Sequence, residues 1–91
     1  MEVTLEFSGV MEKYYPRKRQ ELTLPEGACL SDLFQCIGHL SPALPESVWH
    51  FAENRFRGPV LVLSDGGVLR DEDTKLYNGQ VIRAMRCLMG G

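Results

Sequence analysis

Ninety-one residues make one small domain and leave no room for a second. Ten Lys and Arg against twelve Asp and Glu give a formal charge of −2, which argues against a surface built throughout for nucleic acid, since phosphate binding leans on net positive charge. With 44% hydrophobic and 24% charged residues, the composition suits a packed soluble domain and is too apolar for a disordered chain.

The first segment alternates. Val3, Leu5 and Phe7 face one way, Glu2, Thr4, Glu6 and Ser8 the other, which predicts a half-buried strand. Gly9 ends it, and Glu21-Leu22-Thr23-Leu24 alternates again after the connection Val10–Arg19, so an N-terminal hairpin with a long polar loop is expected. Pro25-Glu26-Gly27 closes the second strand. Ser31 then stands where a helix N-cap belongs, with Asp32 in the first turn to favour the helix dipole. Leu30, Leu33, Phe34, Ile37 and Leu40 recur at helical spacing, and Gly38 with Ser41-Pro42 stops the helix around 38–41. Pro45 reads as the first residue of a second, shorter helix with Val48, Trp49 and Ala52 on one side.

Pro59-Val60-Leu61-Val62-Leu63 is a short continuous apolar run of the kind found in a central strand covered on both faces. Asp65-Gly66-Gly67 signals a hairpin before Val68-Leu69. Residues 70–77 are polar with Leu76 as their anchor, Asn78-Gly79 makes another tight turn, and Val81 to Met85 form the last strand. Hairpin, crossing helix, further strands: the order predicts an α+β domain with one main helix on one face of a mixed sheet.

Chemistry-bearing side chains are sparse. Cys29, Cys36 and Cys87 are odd in number and lack the spacing of a disulfide framework. Cys36 and His39 lie three apart with Cys29 upstream, but a zinc site needs a second ligand pair, so no metal is expected. His50 beside Trp49 and Phe51 reads as a surface or half-buried helix residue, and no Ser, His and Asp set reads as a triad. Lys13, Arg17, Lys18 and Arg19 with Tyr14 and Tyr15 make a basic-aromatic loop whose plain reading is a solvated hairpin loop, with a partner contact as the alternative. Asp71, Glu72 and Asp73 read as a solvated turn. The start Met1-Glu2-Val3-Thr4-Leu5-Glu6 has neither the basic nor the apolar region of a secretion signal, and the longest aliphatic run is too short for a membrane span. A cytoplasmic protein that does not enter membranes is expected.

The end of the chain carries the sharpest signal. Arg86-Cys87-Leu88-Met89-Gly90-Gly91 follows directly on a predicted strand, so a carboxylate would project from a rigid body on a slender, flexible tail over 87–91. Glycine allows close backbone approach and any φ, which suits insertion into a narrow channel of another protein; a merely frayed terminus is the bland alternative.

Leu24-Pro25-Glu26-Gly27 before Leu30-Ser31-Asp32-Leu33, Val60-Leu61-Val62 with Asp65-Gly66, Leu76-Tyr77-Asn78-Gly79-Gln80-Val81-Ile82 and the closing Gly90-Gly91 together resemble the MoaD/ThiS family of ubiquitin-like sulfur carriers, over nearly the whole chain. The chain departs from that pattern in several places: Gly79-Gln80 stands where the family usually has Gly-Asp, Asp65-Gly66 where its central hairpin often has Asn-Gly, Arg83 and Arg86 occupy a strand that is commonly apolar there, and 91 residues are long for the thiamine-type carriers. The resemblance implies a β-grasp (ubiquitin-like) fold with a mixed sheet of four to five strands. It implies that an E1-like adenylyltransferase of the MoeB/ThiF type activates the Gly91 carboxylate with ATP. Sulfur then gives a thiocarboxylate for cofactor biosynthesis, with the molybdopterin synthase small-subunit type favoured and thiamine thiazole next.

On this view the chain is a carrier and not an enzyme. It binds no cofactor itself, and ATP belongs to the activating partner. Gly90, Met89 and Leu88 enter the partner, a MoaE-like large subunit or a thiazole synthase receives the sulfur, and the exposed sheet face docks. Cys87 reads as a strand residue without an assigned task; a transient persulfide or acyl-disulfide during transfer is the alternative. A ubiquitin-like protein modifier, or an interaction module whose Gly91 does nothing, stays open beside the carrier.

Overall fold

The computed structural model describes residues 1–8, 19–40, 44–57 and 60–86. Strands β1 (Glu2–Ser8) and β2 (Arg19–Thr23) form the expected antiparallel hairpin, followed by helix α1 (Leu30–Leu40). After two short strands, β3 (Trp49–His50) and β4 (Arg55–Phe56), come β5 (Val60–Ser64), β6 (Gly67–Val68) and β7 (Gln80–Arg86). The main sheet has five strands in the order β2-β1-β7-β5-β6, and β3-β4 pair separately. β7 runs parallel to β1 and antiparallel to β5, so the sheet is mixed.

One face of this sheet is covered. Val3, Leu5 and Phe7 of β1, Val60 and Val62 of β5, and Ile82 and Ala84 of β7 are all buried against Leu30, Leu33, Phe34 and Ile37 of α1. The apolar stripe of the helix and the period-two faces of the strands thus meet as the sequence pattern requires. Asp65-Gly66 turns the chain with φ of 55° and 78°, the two left-handed residues that a two-residue hairpin needs. Gly79 enters β7 at φ 85°.

Three expectations need correction. The segment after Pro45 is not a helix. A single turn closes there, with Val48 and Trp49 amides donating to the Pro45 carbonyl at 3.0 and 3.1 Å, and the chain then extends into the β3–β4 hairpin. Val48 and Trp49 are β-branched and aromatic, side chains that favour extended backbone. Their burial is completed by tertiary aromatic contacts: Trp49 meets Phe56 edge to face at 4.8 Å between ring centres, and Phe56 meets Phe34 at 5.6 Å. Ala52, placed with Trp49 by the helical reading, is exposed in the hairpin turn, where Asn54 takes φ 52°. His50 is half-buried in β3, not on a helix.

The helix begins one residue earlier than its presumed cap. Cys29 stands at the cap position, its amide donating to Asp32 Oδ2 at 2.8 Å, which is the return half of a capping box. The next two free amides, Leu30 and Ser31, donate to the carbonyls of Thr74 and Glu72. Finally, β5 is covered on one face and not on two. Val60, Val62 and Ser64 are buried while Leu61 and Leu63 are half-buried on the open side, because no second layer of the described residues lies over it.

Candidate functional site

The tail residues Cys87, Leu88, Met89, Gly90 and Gly91 lie outside the described residues, as do Lys13, Tyr14, Tyr15, Arg17 and Lys18 of the loop. What the structure gives is the platform from which the tail departs. β7 is the central strand, held on one side by β1 from Val3↔Gln80 to Ser8↔Met85 and on the other by β5 from Leu63↔Arg83 to Val60↔Arg86. Met85 is therefore held on both sides, and Arg86, the last described residue before the tail, is paired with Val60.

The uncovered face of the sheet divides by strand. On the β5–β7 side it carries Leu61, Leu63, Val81 and Met85, all half-buried, with Val68 of β6 more exposed at 38%. The β1–β2 side is polar. In one register row the side chains run Arg19, Glu6, Arg83, Leu63, Val68 across the five strands. Glu6 pairs with both cations, accepting from Arg83 Nη2 at 3.1 Å and lying 3.2 Å from Arg19 Nε as an ion pair. Arg83 thus sits on the open face as a cross-strand partner, an arrangement that a linear reading of the last strand does not supply.

A shallow groove of about 460 Å³ lies on this face between the β5–β6 turn and the start of β7, lined by Leu63, Asp65, Tyr77, Val81 and Arg83. A polar chain fixes its end. Gln80, 3% exposed, accepts from the Tyr77 amide at 3.0 Å and donates from Nε2 to Ser64 Oγ at 2.9 Å. Tyr77 donates its hydroxyl proton to Asp65, with both carboxylate oxygens at 2.7 Å. That bond to an anion, with partial desolvation and the like charge behind it, raises the Tyr77 hydroxyl above its ordinary value. Nothing local in the sequence signals that Ser64, Gln80, Tyr77 and Asp65 meet; their separations range up to 16 residues.

Elsewhere the titratable groups serve the fold. The backbone and then the thiol of Cys29 hold the Asp32 carboxyl below its ordinary range. Cys29 Sγ lies 3.0 Å from Ser31 Oγ, and Cys36 Sγ lies 3.6 Å from the Asp32 carbonyl, so the two thiols are engaged separately along α1. Arg55 bridges to Glu72, which raises its already high pKa. Among the described residues no group of three or more His, Cys, Asp or Glu side chains could hold a metal ion. No helix of the described residues is long and apolar enough to cross a membrane.

No family model matches the chain, and no curated protein matches it in sequence. Solved structures do match in shape. SAMP1 from Haloferax volcanii superposes with a TM-score of 0.82 over 100% of both chains at 13% identity. A putative molybdopterin converting factor subunit 1 from Pyrococcus furiosus gives 0.73 at 19% identity, covering 93% of this chain and 95% of that one. The protein–protein complex of subunits 1 and 2 of the molybdopterin-converting factor from Helicobacter pylori gives 0.65 over 100% of both chains at 19% identity. At full coverage, with one helix crossing a mixed five-stranded sheet, the chain has the β-grasp, ubiquitin-like fold of these small proteins.

Proposed function

We propose that the chain is a sulfur carrier whose working group is the Gly91 carboxylate. The observation that carries this reading is the continuation of β7, the doubly anchored central strand of a β-grasp sheet, into a sequence that ends Leu88-Met89-Gly90-Gly91. An α-carboxyl has an ordinary pKa of about 3.3–3.7, so at neutral pH it is an anion, a competent nucleophile toward phosphorus and a poor electrophile at carbon. In the proposed sequence, attack on the α-phosphate of ATP expels pyrophosphate and gives an acyl-adenylate. A sulfur nucleophile then adds to the carbonyl carbon and AMP leaves, yielding the thiocarboxylate that passes sulfur to an acceptor. An E1-like adenylyltransferase of the MoeB/ThiF type supplies the ATP site and the catalytic groups, and this chain binds no cofactor of its own.

Gly90 clears the channel walls, Leu88 and Met89 seat the tail, and the open face around Leu61, Leu63 and Val81 docks. Exposed apolar residues gathered on one face are expected of a protein that passes between partners. The favoured acceptor is a pterin precursor held by a MoaE-like large subunit, with a thiazole synthase next. The complex of two converting-factor subunits among the similar structures supports that preference. We place the reaction in the cytoplasm, where ATP is available.

A second reading is favoured by a specific likeness. One of the similar structures is a small archaeal modifier protein, which matches at a TM-score of 0.77, and a modifier would join Gly91 to a lysine amine. Intact-mass measurement after incubation with the activating enzyme, ATP and a sulfur donor separates the two. A gain equal to sulfur minus oxygen supports the carrier, and lysine-linked conjugates support the modifier. Removal of Gly91 abolishes either product with the fold intact. Sulfur uptake by the truncated chain, or a cellular form that runs on past Gly91 untrimmed, refutes the assignment.

A further inference from the structure

Because β1 and β7 are parallel neighbours, both end at the same edge of the sheet: Ser8 stands opposite Met85, and Arg86 opposite Val60. β2 enters there too, with Arg19 opposite Glu6. Four arginines belong to this end of the sheet: Arg19 and Arg83 project from the open face, Arg86, in register with the buried Val60, from the covered one, and Arg57 just precedes β5. Arg19 and Arg83 share the one carboxylate of Glu6, so that row keeps a net positive charge. Arg86, partly buried at the last position of β7, has no carboxylate of the described residues within ion-pair distance. Arg57, whose carbonyl accepts from the Val60 amide, directs its Nε to the Glu46 carbonyl, which satisfies a donor without neutralising the charge.

The opposite end of the sheet, where β7 begins, is acidic. Glu2 and Asp65 sit there, and the segment capping α1 adds Asp32, Asp71 and Asp73 beside Lys75. A chain of formal charge −2 is thus polarised along its strands, with the positive pole at the edge from which the tail departs. The connection between β1 and β2 adds Lys13, Arg17 and Lys18 in sequence; those residues lie outside the described ones, and the four arginines suffice without them.

We infer that this edge is a cationic docking rim for a carboxylate-rich protein surface surrounding the channel that receives the C-terminus. The identity of the partner as the activating enzyme rests on the carrier reading; the preference of the edge for carboxylates does not. Opposed charge steers encounter and fixes orientation more than it adds affinity, which suits a carrier that must also leave. A protein surface fits better than a nucleic acid. Glu6 lies in the middle of the patch, where it would face phosphates, and most of the remaining surface is acidic and would repel a long polyanion.

The test has two arms. Backbone-amide NMR of the full chain, titrated with a short poly-L-glutamate peptide at low salt, is expected to move the resonances of Glu6, Arg19, Arg83 and Arg86. Those of Asp65 and Lys75 should stay still, and the response should vanish in Arg19→Gln/Arg83→Gln, with the dispersed spectrum certifying the fold. A thymidine oligonucleotide of equal charge is titrated in parallel. Saturation of the same residues at lower oligonucleotide than peptide concentration, or movement spread over both ends, overturns the inference.

In the second arm, pyrophosphate release is followed with the activating enzyme and ATP. Arg19→Gln/Arg83→Gln is expected to lower kcat/KM about tenfold through KM, with the deficit shrinking as salt is added. Lys75→Gln should match the parent, and an equal loss there would refute the rim. Absence of pyrophosphate release from the parent chain itself would refute the carrier reading instead, and the peptide titration would still judge the edge.

Discussion

Ser64→Ala removes one hydroxyl from a buried pair and is expected to destabilise the protein by about 2 kcal/mol. The bond from Gln80 Nε2 to Ser64 Oγ is 2.9 Å long, and both side chains are buried, at 3% and 7% exposure. A neutral hydrogen bond contributes about 1 kcal/mol net, and a buried donor left without a partner costs about 1–3 kcal/mol. The further contact from Ser64 Oγ to Asp65, at 3.4 Å, is too long to add much. For a domain of this size about 1 kcal/mol corresponds to about 4–8 °C in Tm, so a calorimetric or circular-dichroism melt should fall by about 8–16 °C. The double-mutant cycle carries the logic. In a Gln80→Ala background the orphaned donor no longer exists, so Ser64→Ala should then cost under about 0.5 kcal/mol. Additive costs would refute the claim that the two side chains act as one unit holding the β5–β6 turn to the start of β7.

Gly79→Ala meets no atom within 4 Å, yet φ of 85° is left-handed, so strain alone should cost about 1–2 kcal/mol in a urea titration. In a Tyr14→Phe/Tyr15→Phe background, an ultraviolet titration should find Tyr77 ionising above its ordinary value of 10.0, with Asp65→Asn moving it back down. The protonated form is the one stabilised, so that contribution is complete below pH 10.0 and is lost as pH rises through the folded-state value. Asp32 has the opposite sign. Its lowered carboxyl stabilises above the ordinary value of 3.8, and acid titration should remove that contribution as pH falls through the folded-state value. Leu63→Asp on the open face should leave Tm within a few degrees while impairing pyrophosphate release. Ile82→Ala, 1% exposed in the core, should cost about 2–5 kcal/mol.

Elements specified by neighbours in sequence were legible in it. The alternation of Val3, Leu5 and Phe7, the stripe of Leu30, Leu33, Phe34 and Ile37, and the turns at Asp65-Gly66 and Asn78-Gly79 each fix local geometry through a period or a φ requirement, and each stands in the fold. The misses are tertiary. Trp49 extends because its ring packs against Phe56 across the β3–β4 hairpin and against Phe34 of α1, and the pairing of β3 with β4 is set by tertiary contact. The cap moves to Cys29 because the free amides of α1 find carbonyls at 72 and 74, more than forty residues away. For the candidate site, Leu61, Leu63, Arg83 and Arg86 were visible as residues. Leu61, Leu63 and Arg83 meet on the open face, and Arg86 reaches the same end of the sheet from the covered face, through the pairing of β7 with β1 and β5, which no short window of sequence encodes. The tail itself, Leu88 to Gly91, rests on sequence alone.

The division of the open face argues that its apolar half is retained for something other than folding. A strand whose outer face meets water can alternate polar with apolar residues, and β1 does so with Thr4 and Glu6 between its buried positions. β5 in the same sheet does not: Leu61 and Leu63 occupy the outward positions and stay half-buried. Their buried halves contribute to the fold, but threonine would preserve strand propensity, and the apolar halves left facing water add nothing to fold stability. Burial against a partner gives those halves a use, at about 25 cal/mol for each Å² removed from water. With Arg83 and Glu6 in the adjoining columns of the same row, the face offers an apolar strip bounded by charge. A strip of that kind sets both the affinity and the orientation of a short-lived contact. That contact would point the end of β7, and whatever follows Arg86, into the partner.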